Sequence, residues 1–309
     1  MTPASGALAA APAARPLRLV VPFPPGGGAD NLARTIMPWV EAQLGQSILI
    51  DNRPGAGGNL GAELVARAAP DGQTLLYGTN GTHSINASLY GQLRFDPIKD
   101  FAPISRMTAI PAMLIVNPKL PVESLADLLR LARARPGQLN FASAGNGTTS
   151  HLSGELFKTL AGLDIVHVPY RGGALAMTDL IGGQVQMMID VMPNALPMVR
   201  SGRVRGLAVS TALRVPMAPE FPTIAEAGLP GFEASAWDGI LAPAGTPPAL
   251  IKRLNEAIQG ALQEPALVEA LFRLGAQPVR STPQEFARHI LDSTEKWAAV
   301  VRASGARVD

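Results

Sequence analysis

The chain has 309 residues, of which 47% are hydrophobic and 16% charged, a balance typical of a folded globular protein and not of a disordered one. The net charge is +2 and no run of basic residues occurs, so no nucleic-acid partner is expected. The absence of cysteine excludes disulfides and thiolate metal sites, and no stretch reaches the ~18 apolar residues that a membrane-spanning helix needs.

Residues 1–16 come before the first regular pattern and are rich in small side chains. They fit either the remnant of a signal-peptide cleavage region or a tail without fixed structure. Both interpretations begin the folded part of the chain at residue 17.

From residue 17 onward the pattern alternates apolar strands with amphipathic helices, which predicts an α/β fold with largely parallel sheets. The predicted strands cover 17–23, 47–50, 74–77, 112–116, 139–142, 165–168, 185–189, 204–209 and 239–242. The predicted helices cover 30–44, 60–69, 124–135, 149–160, 174–181, 249–263, 265–274 and 282–301. Pro38 should kink the first helix or remove one of its hydrogen bonds, and Thr282 with Glu285 forms a capping box at the start of the last helix.

The alternation occurs in two halves, each with its own set of loops, which favours two lobes. Apolar extended segments near residues 112 and 237 suit crossings between them. We therefore expect a first lobe from 17–112 plus 238–309 and a second lobe from 113–237, with the C-terminal helices returning to the first lobe.

Four strand-to-helix junctions share a glycine-rich design: 22–28, 52–58, 143–149 and 169–173. A helix N-terminus exposes unpaired N–H groups and the positive end of the helix dipole, and glycine lets a ligand approach that backbone closely. For any single loop of this kind, a simple tight turn is the favoured explanation. Four of them, at the sheet edge where ligands bind to open α/β folds, favour an anion-binding cleft.

Nucleotides fit these loops poorly. The first loop has Asn31 where a dinucleotide fingerprint needs glycine, and Thr79-Asn80 stand where a ribose-binding acid is expected. No glycine loop ends in the Gly-Lys-Ser/Thr of a Walker A site. A carboxylate held by backbone amides and by the hydroxyls of Ser143, Thr148 and Thr149 fits better, and no cofactor is expected.

Residues for catalysis are few. The nucleophile-elbow motif does not occur, and a hydrolase using Ser143 or Ser150 with His151 remains the alternative function. His151 and Glu155 lie four residues apart, and one such pair does not make a metal site. Asp190, at a strand end, could either pair with an amine on the ligand or cap the next helix. Tyr170 and Trp237 could wall the cleft, although Trp237 could equally belong to the core.

Seven segments in order along nearly the whole chain resemble the Bug-type solute receptors of tripartite tricarboxylate transport systems. They are VPFPPGGGADNLAR (21–34), NRPGAGGNLGAE (52–63), APDGQTLLYG (69–78), SAGNGTTSHLSGELF (143–157), VPYRGGALAMTDLIGGQV (168–185), PTIAEAGLPGFE (222–233) and WDGILAPAGTP (237–247). The resemblance implies a two-lobed periplasmic-binding-protein fold of the Venus-flytrap type II class and residence in the periplasm. It also implies delivery of an organic acid to membrane permease subunits without catalysis. We expect the receptor to act as a monomer, and a sensor that presents the acid to a signalling protein is a further alternative.

The resemblance and the loop design single out one set of ligand-binding residues. They are Phe23, Pro24, Gly27, Gly28, Asp30, Thr79, Asn80, Ser143, Gly145, Gly147, Thr148, Thr149, Tyr170, Arg171, Gly172, Gly173, Ala174 and Asp190. Arg171 stands where the family often has lysine, so its side chain could point to solvent instead. The ligand class stays open between carboxylates, dicarboxylates and amino acids.

Overall fold

The computed structural model describes residues 15–308, so most of the tail at 1–16 lies outside the described residues. Its strands are β1 Leu17–Val21, β2 Ile48–Asn52, β3 Thr74–Thr79, β4 Phe101–Val116, β5 Asn140–Ser143, β6 Val166–Pro169, β7 Met187–Val191, β8 Arg205–Val209, β9 Ser235–Pro243 and β10 Gln277–Pro278. Its helices are α1 Gly28–Leu44, α2 Asn59–Ala66, α3 Asn86–Leu89, α4 Leu125–Ala134, α5 Thr149–Ala161, α6 Gly173–Gly182, α7 Met192–Arg200, α8 Pro248–Ala261, α9 Pro265–Arg273 and α10 Pro283–Ser304.

The strands form one continuous sheet in the order β2-β1-β3-β9-β4-β7-β5-β6, with β8 and β10 also paired to β4. In the first group, β1 runs parallel to both β2 and β3, because a helix crosses over between consecutive strands. Strand β9 joins β3 antiparallel. Apolar side chains cover both faces of this group, under α1, α8 and α9 on one side and under α2 and α10 on the other.

The second group repeats the scheme. Strand β5 runs parallel to β6 and to β7, while β7 and β8 pair antiparallel with the end of β4. One face is covered by α4 and α5 and the other by α6 and α7, so this group also has a core layer on each side. The predicted α/β layers are therefore confirmed in both halves. The prediction of a largely parallel sheet was wrong, because β4 and β9 run antiparallel to every strand that they pair with.

Strand β4 connects the two groups and is far longer than predicted. The sequence predicted a strand from 112, whereas β4 begins at Phe101 and its first eleven residues pair with β9. Register shifts interrupt that pairing between Pro103 and Ser105 and again between Arg106 and Thr108. The proline and the polar side chains break the apolar alternation, which explains why the strand was missed. Strand β9 likewise begins at Ser235 and not at 239.

A buried helical turn after β3 was not predicted at all. Residues Gly81–Ile85 form a π-helical turn that leads into the short helix α3. The turn is buried although most of its side chains are polar, and α10 packs over it through Thr294, whose hydroxyl donates to the carbonyl of His83. Tertiary packing therefore stabilises this turn in the absence of any sequence periodicity.

Helix α10 lies against both strand groups. Its start has the predicted capping box, in which the Thr282 hydroxyl accepts from the Glu285 N–H and the Glu285 carboxylate accepts from the Thr282 N–H. Farther along, Trp297 and Val301 join the core layer of the second group. Helix α1 runs through Pro38 to Leu44 without ending there.

Candidate functional site

A cavity of about 80 Å³ lies where the two strand groups face each other, and we call it the inner cavity. It is lined by Phe23, Pro24, Gly27, Gly28, Ala29, Leu32, Thr79, Asn80, Gly81, Ile110, Ala144, Thr148, Thr149, Ser150, Gly173, Asp190, Val191, Ala236, Trp237 and Asp238. Since a water molecule needs about 10–15 Å³ of such space, the cavity has room for roughly five to eight water-sized groups, which is the scale of a small organic acid.

Three helix N-termini converge on the inner cavity. Helix α1 begins at Gly28, α5 at Thr149 and α6 at Gly173, and each of these residues lines the wall. The first N–H groups of a helix have no partner inside the helix, and the dipole places about half a positive charge there. The three ends together therefore make the cavity favourable for an anion.

Asn80 connects the two groups across the cavity. Its side-chain oxygen accepts a hydrogen bond of 2.8 Å from the Thr149 hydroxyl, which fixes the orientation of the amide. The Nδ2 group has no partner, although the residue is only 1% exposed. A buried donor without a partner is costly, so a ligand oxygen at this position would gain a full hydrogen bond.

Two carboxyl groups also line the cavity, Asp190 on β7 and Asp238 on β9. They are 2% and 1% exposed. Among residues 15–308, no lysine, arginine or histidine side chain lines the inner cavity. Any anion that binds here is therefore compensated by backbone and amide dipoles instead of by a cationic side chain.

Asp238 is held by neighbours in the first group. Its carboxylate accepts from the Tyr77 hydroxyl and, at 2.8 Å, from the Thr108 hydroxyl. Burial raises the pKa of Asp238 to about 7, while these two hydrogen bonds and the nearby Arg106 guanidinium act to lower it. The sequence prediction missed Asp238, although a lone acid inside the apolar run AWDGILA was a usable signal.

Asp190 has fewer partners. Its carboxylate accepts from the Val191 N–H at 2.9 Å and from the Asn194 amide, and no cation contributes to its pKa. Burial raises the pKa of Asp190 to about 6. Helix α7 begins at Met192 without a side-chain cap, so Asp190 does not cap it in the way the sequence allowed.

Outside the inner cavity lies a wider opening of about 670 Å³, which we call the cleft mouth. It is lined by Pro22, Phe23, Pro24, Pro54, Gly55, Ala56, Gly57, Gly58, Tyr90, Ala144, Gly145, Asn146, Pro169, Tyr170, Arg171 and Val308. Tyr90 donates a hydrogen bond of 3.2 Å to the Asn146 carbonyl across it.

The structure divides the predicted ligand-binding residues between these regions. The inner cavity is lined by Phe23, Pro24, Gly27, Gly28, Thr79, Asn80, Thr148, Thr149, Gly173 and Asp190. Gly145, Tyr170 and Arg171 lie instead in the cleft mouth, where Arg171 is exposed and Tyr170 donates to Asp179.

The remaining five predicted residues lie behind the wall. The Asp30 carboxylate accepts from Gly26 N–H, Arg34 and Asn52, and these bonds hold the pKa of Asp30 below its usual value against the effect of burial. Ser143 bonds His167 at 2.7 Å. Gly147 and Gly172 lie in the loops before α5 and α6, and Ala174 lies in the first turn of α6.

The serine–histidine alternative is not supported by these contacts. The Ser150 hydroxyl accepts from the Ala144 N–H and bonds Thr148, while Nδ1 of His151 accepts from the Gly147 N–H. Burial lowers the pKa of His151 to about 4.

The structure does bring His167 next to His151 and Glu155, with ligand atoms within 4.8 Å of one another. The two imidazole rings are stacked, 4.2 Å apart and inclined by 16°. A metal ion must lie in the plane of each imidazole that binds it, and nearly parallel planes do not meet at bonding distance. This arrangement does not suit a shared ion.

Several glycines allow the two groups to approach closely. A Cβ on Gly172 would lie 2.3 Å from Cγ of Pro24, and one on Gly57 would lie 2.3 Å from the Asn146 carbonyl oxygen. A Cβ on Gly28 would lie 2.7 Å from a methyl of Val191. In this conformation the two strand groups can therefore approach so closely only because these three positions are glycine and carry no side chain.

Comparisons with known proteins agree with this geometry. Residues 32–306 match the family model described as the tripartite tricarboxylate transporter family receptor. Protein BugT of Bordetella pertussis is 40% identical over 296 residues, which cover 96% of this chain and 91% of BugT.

Solved structures give the same result. An R. palustris protein with adipate is 41% identical, with a TM-score of 0.93 over 95% of this chain and 99% of that one. MatC from Rhodopseudomonas palustris with bound malate is 38% identical, with a TM-score of 0.89 over 93% and 99%. The predicted two-lobed periplasmic-binding-protein fold is confirmed by these matches.

No helix among residues 15–308 is long and apolar enough to cross a bilayer. The family and the similar structures are solute receptors and not enzymes, which confirms the receptor interpretation over the hydrolase. The chain belongs to the tripartite tricarboxylate transporter receptor family.

Proposed function

We propose that this receptor binds a small organic acid in the inner cavity, with one carboxylate at Asn80 and the N-termini of α1 and α5. The observation that carries the proposal is the unpaired Nδ2 of Asn80, buried in a cavity where three helix N-termini converge. The bound adipate and malate of the two R. palustris proteins indicate acids of suitable size.

The division into lobes follows from the strand pairing. We propose a first lobe from 17–112 plus 238–309 and a second lobe from 113–237, with α10 in contact with both. Strand β4 pairs with β9 up to residue 111 and with β7 from 112, which supports a hinge at that point. Ligand binding then favours the closed arrangement, because donors from both lobes meet the same acid.

In the cell, the receptor acts in the periplasm as a monomer and delivers the acid to the permease subunits of its transporter. Family membership supports this role. In the alternative sensor function, the receptor would present the acid to a signalling protein. Uptake of labelled acid by the cell would then not require the receptor.

Isothermal titration of the purified chain with malate, adipate and related acids of four to six carbons tests the proposal. We expect at least one acid to bind with one site per chain, and the Asn80→Asp variant to lose that binding. Failure of the whole series to bind, or undiminished binding by the variant, would contradict the proposed site.

A further inference from the structure

The charges around the inner cavity limit how many ionised carboxylates the ligand can carry. Two acids, Asp190 and Asp238, line a wall that has no cationic side chain among residues 15–308. A dianion placed there faces repulsion from both acids at short range. The number of negative charges that a ligand can carry into the cavity therefore depends on how much positive charge surrounds the two acids.

An approximate charge count shows how small that number is. When both acids are ionised they contribute about −2, while the three helix N-termini contribute about +0.5 each and the nearby Arg106 guanidinium about +1. The sum is roughly +0.5, so one ionised carboxylate on the ligand leaves the cavity close to neutral. A second one would leave an excess of about −1.5 in a buried space, which is costly.

The two acids differ in how well they are compensated. Asp238 accepts from two hydroxyls and faces the Arg106 guanidinium. Asp190 accepts only one backbone N–H and one amide. Strand β7, which carries Asp190, is packed by the end of β4, by β5 and by helices α5, α6 and α7, with Gly28 of α1 beside Val191. No ionisable group on any of these elements contributes to the pKa of Asp190. Asp190 is therefore the uncompensated acceptor in the wall.

Asp190 lies in the wall of the inner cavity, within reach of a ligand atom. Its Oδ2 is 3.6 Å from the position that a Cβ on Gly173 would take, and that Cβ would also lie 3.0 Å from Nδ2 of Asn194. The absence of a side chain on Gly173 therefore keeps the Asp190 carboxylate accessible from the cavity. A ligand that reaches here meets a carboxylate and not a donor.

We propose that the inner cavity takes a ligand with a single ionised carboxylate, whose other end gives Asp190 a hydrogen-bond donor: an ammonium, a hydroxyl or a protonated carboxyl. This inference rests on the proposed function, because it concerns the same cavity. It makes Asp190 the residue that selects among acids of equal length.

A dicarboxylate then binds only with one proton, carried on its own second carboxyl, on Asp190 or on Asp238. Binding takes that proton up from solution, so the affinity for dicarboxylates falls by about tenfold for each pH unit above neutrality. An ω-amino acid needs Asp190 ionised, and it binds without proton uptake above the pKa of Asp190, which is about 6. Above about pH 6 the affinity for dicarboxylates therefore falls as the pH rises, whereas the affinity for ω-amino acids stays nearly constant.

Matched ligand pairs test this directly: succinate with 4-aminobutanoate, glutarate with 5-aminopentanoate, and adipate with 6-aminohexanoate. Each pair is titrated calorimetrically into the full chain at pH 6, 7 and 8 in two buffers of different ionisation enthalpy. We expect dicarboxylate binding to take up about one proton at pH 8 and binding of the amino partner to take up none.

The Asp190→Asn variant distinguishes a role of Asp190 in ligand specificity from a purely structural role. It should bind the dicarboxylate at pH 8 at least about tenfold more tightly than the unchanged chain, without proton uptake, and lose at least about tenfold for the amino partner. The control Asp164→Asn changes an exposed acid outside both regions of the cleft and should alter neither.

Dicarboxylate binding at pH 8 without proton uptake, unaffected by Asp190→Asn, would overturn the inference while the receptor function stands. Equal weakening of both classes by the variant would also overturn it, since that result indicates a structural role. Absence of binding by every acid at every pH would contradict the proposed function as well as the inference.

Discussion

The inner cavity and the cleft mouth are built from the same strand-to-helix junctions, yet they present different chemistry. In the inner cavity the junctions contribute helix N-termini and the free amide of Asn80, and two buried acids complete the wall. In the cleft mouth they contribute the middles of the loops, with proline, glycine and the exposed Arg171. The residues where a helix begins therefore supply hydrogen-bond donors to the ligand, whereas the residues in the middle of the loop mainly form the walls of the opening.

From this comparison we expect substitutions in the inner cavity to lower the affinity for the acid strongly, and substitutions in the cleft mouth to lower it only slightly. The largest effect is expected for Asn80→Asp, which removes the free donor and adds a third acid to the wall. A hydrogen bond to a charged group contributes about 1.5–3 kcal/mol, so affinity for any bound acid should fall by about 100-fold. Calorimetric titration measures the loss.

The ligand-free Asn80→Asp variant serves as its own control. The substituted side chain still accepts from Thr149, but a third buried acid lowers stability, so thermal unfolding must show that the variant is folded at the temperature of the titration. A normal affinity in a well-folded variant would show that the ligand does not reach Asn80.

The next effect tests the close approach of the lobes. Gly172→Ala places a methyl against Pro24 and should lower affinity by about tenfold, because the closed form then needs a shift of the loop. Gly228→Ala is the matched control, since Gly228 has a similar positive φ, +125° against +138°, with open space around it.

Both glycine variants lose stability from backbone strain, but only Gly172→Ala should lose affinity and show a larger radius of gyration with ligand in solution scattering. If the two variants bound the acid equally well, lobe closure at this contact would not matter for binding.

A smaller effect is expected for Tyr90→Phe in the cleft mouth. It removes only the hydrogen bond from the Tyr90 hydroxyl to the Asn146 carbonyl between the lobes. A neutral hydrogen bond contributes about 0.5–1.5 kcal/mol, so affinity should fall by about two- to tenfold. Titration with the same acid measures this, and a loss as large as that of Asn80→Asp would contradict the distinction between the regions.

The smallest effect is expected for Arg171→Ala. Arg171 is exposed in the cleft mouth and screened by solvent, so affinity should change by less than about twofold at physiological salt. A large, salt-dependent loss would place the ligand in the cleft mouth and reverse the comparison.

The sequence predicted the alternating α/β layers well, because buried strands and amphipathic helices leave clear periodic patterns. It did not predict the first part of β4, where Pro103, Arg106 and two register shifts interrupt the alternation. The turn Gly81–Ile85 was also missed, since polar residues that are buried by α10 carry no periodic signal. Tertiary packing determines both features.

For the site, glycine-rich junctions located the cleft but not its inner wall. Thr149 could be anticipated because it stands where a predicted helix begins, whereas Phe23 and Asn80 were indicated by the family resemblance. Asp238 could not be placed, because it comes from a strand interior that reaches the cavity only through its pairing with β3 and β4. The arrangement of the two lobes determines which residues of a junction face the ligand. No local sequence pattern predicts that arrangement.

The most direct test of the account is a crystal structure of the chain with the tightest-binding acid from the titration series. The account predicts closed lobes and a carboxylate oxygen about 2.7–3.2 Å from Nδ2 of Asn80, with its other end at Asp190. An acid bound in the cleft mouth beside Arg171, with the Asn80 amide still unpaired, would contradict it.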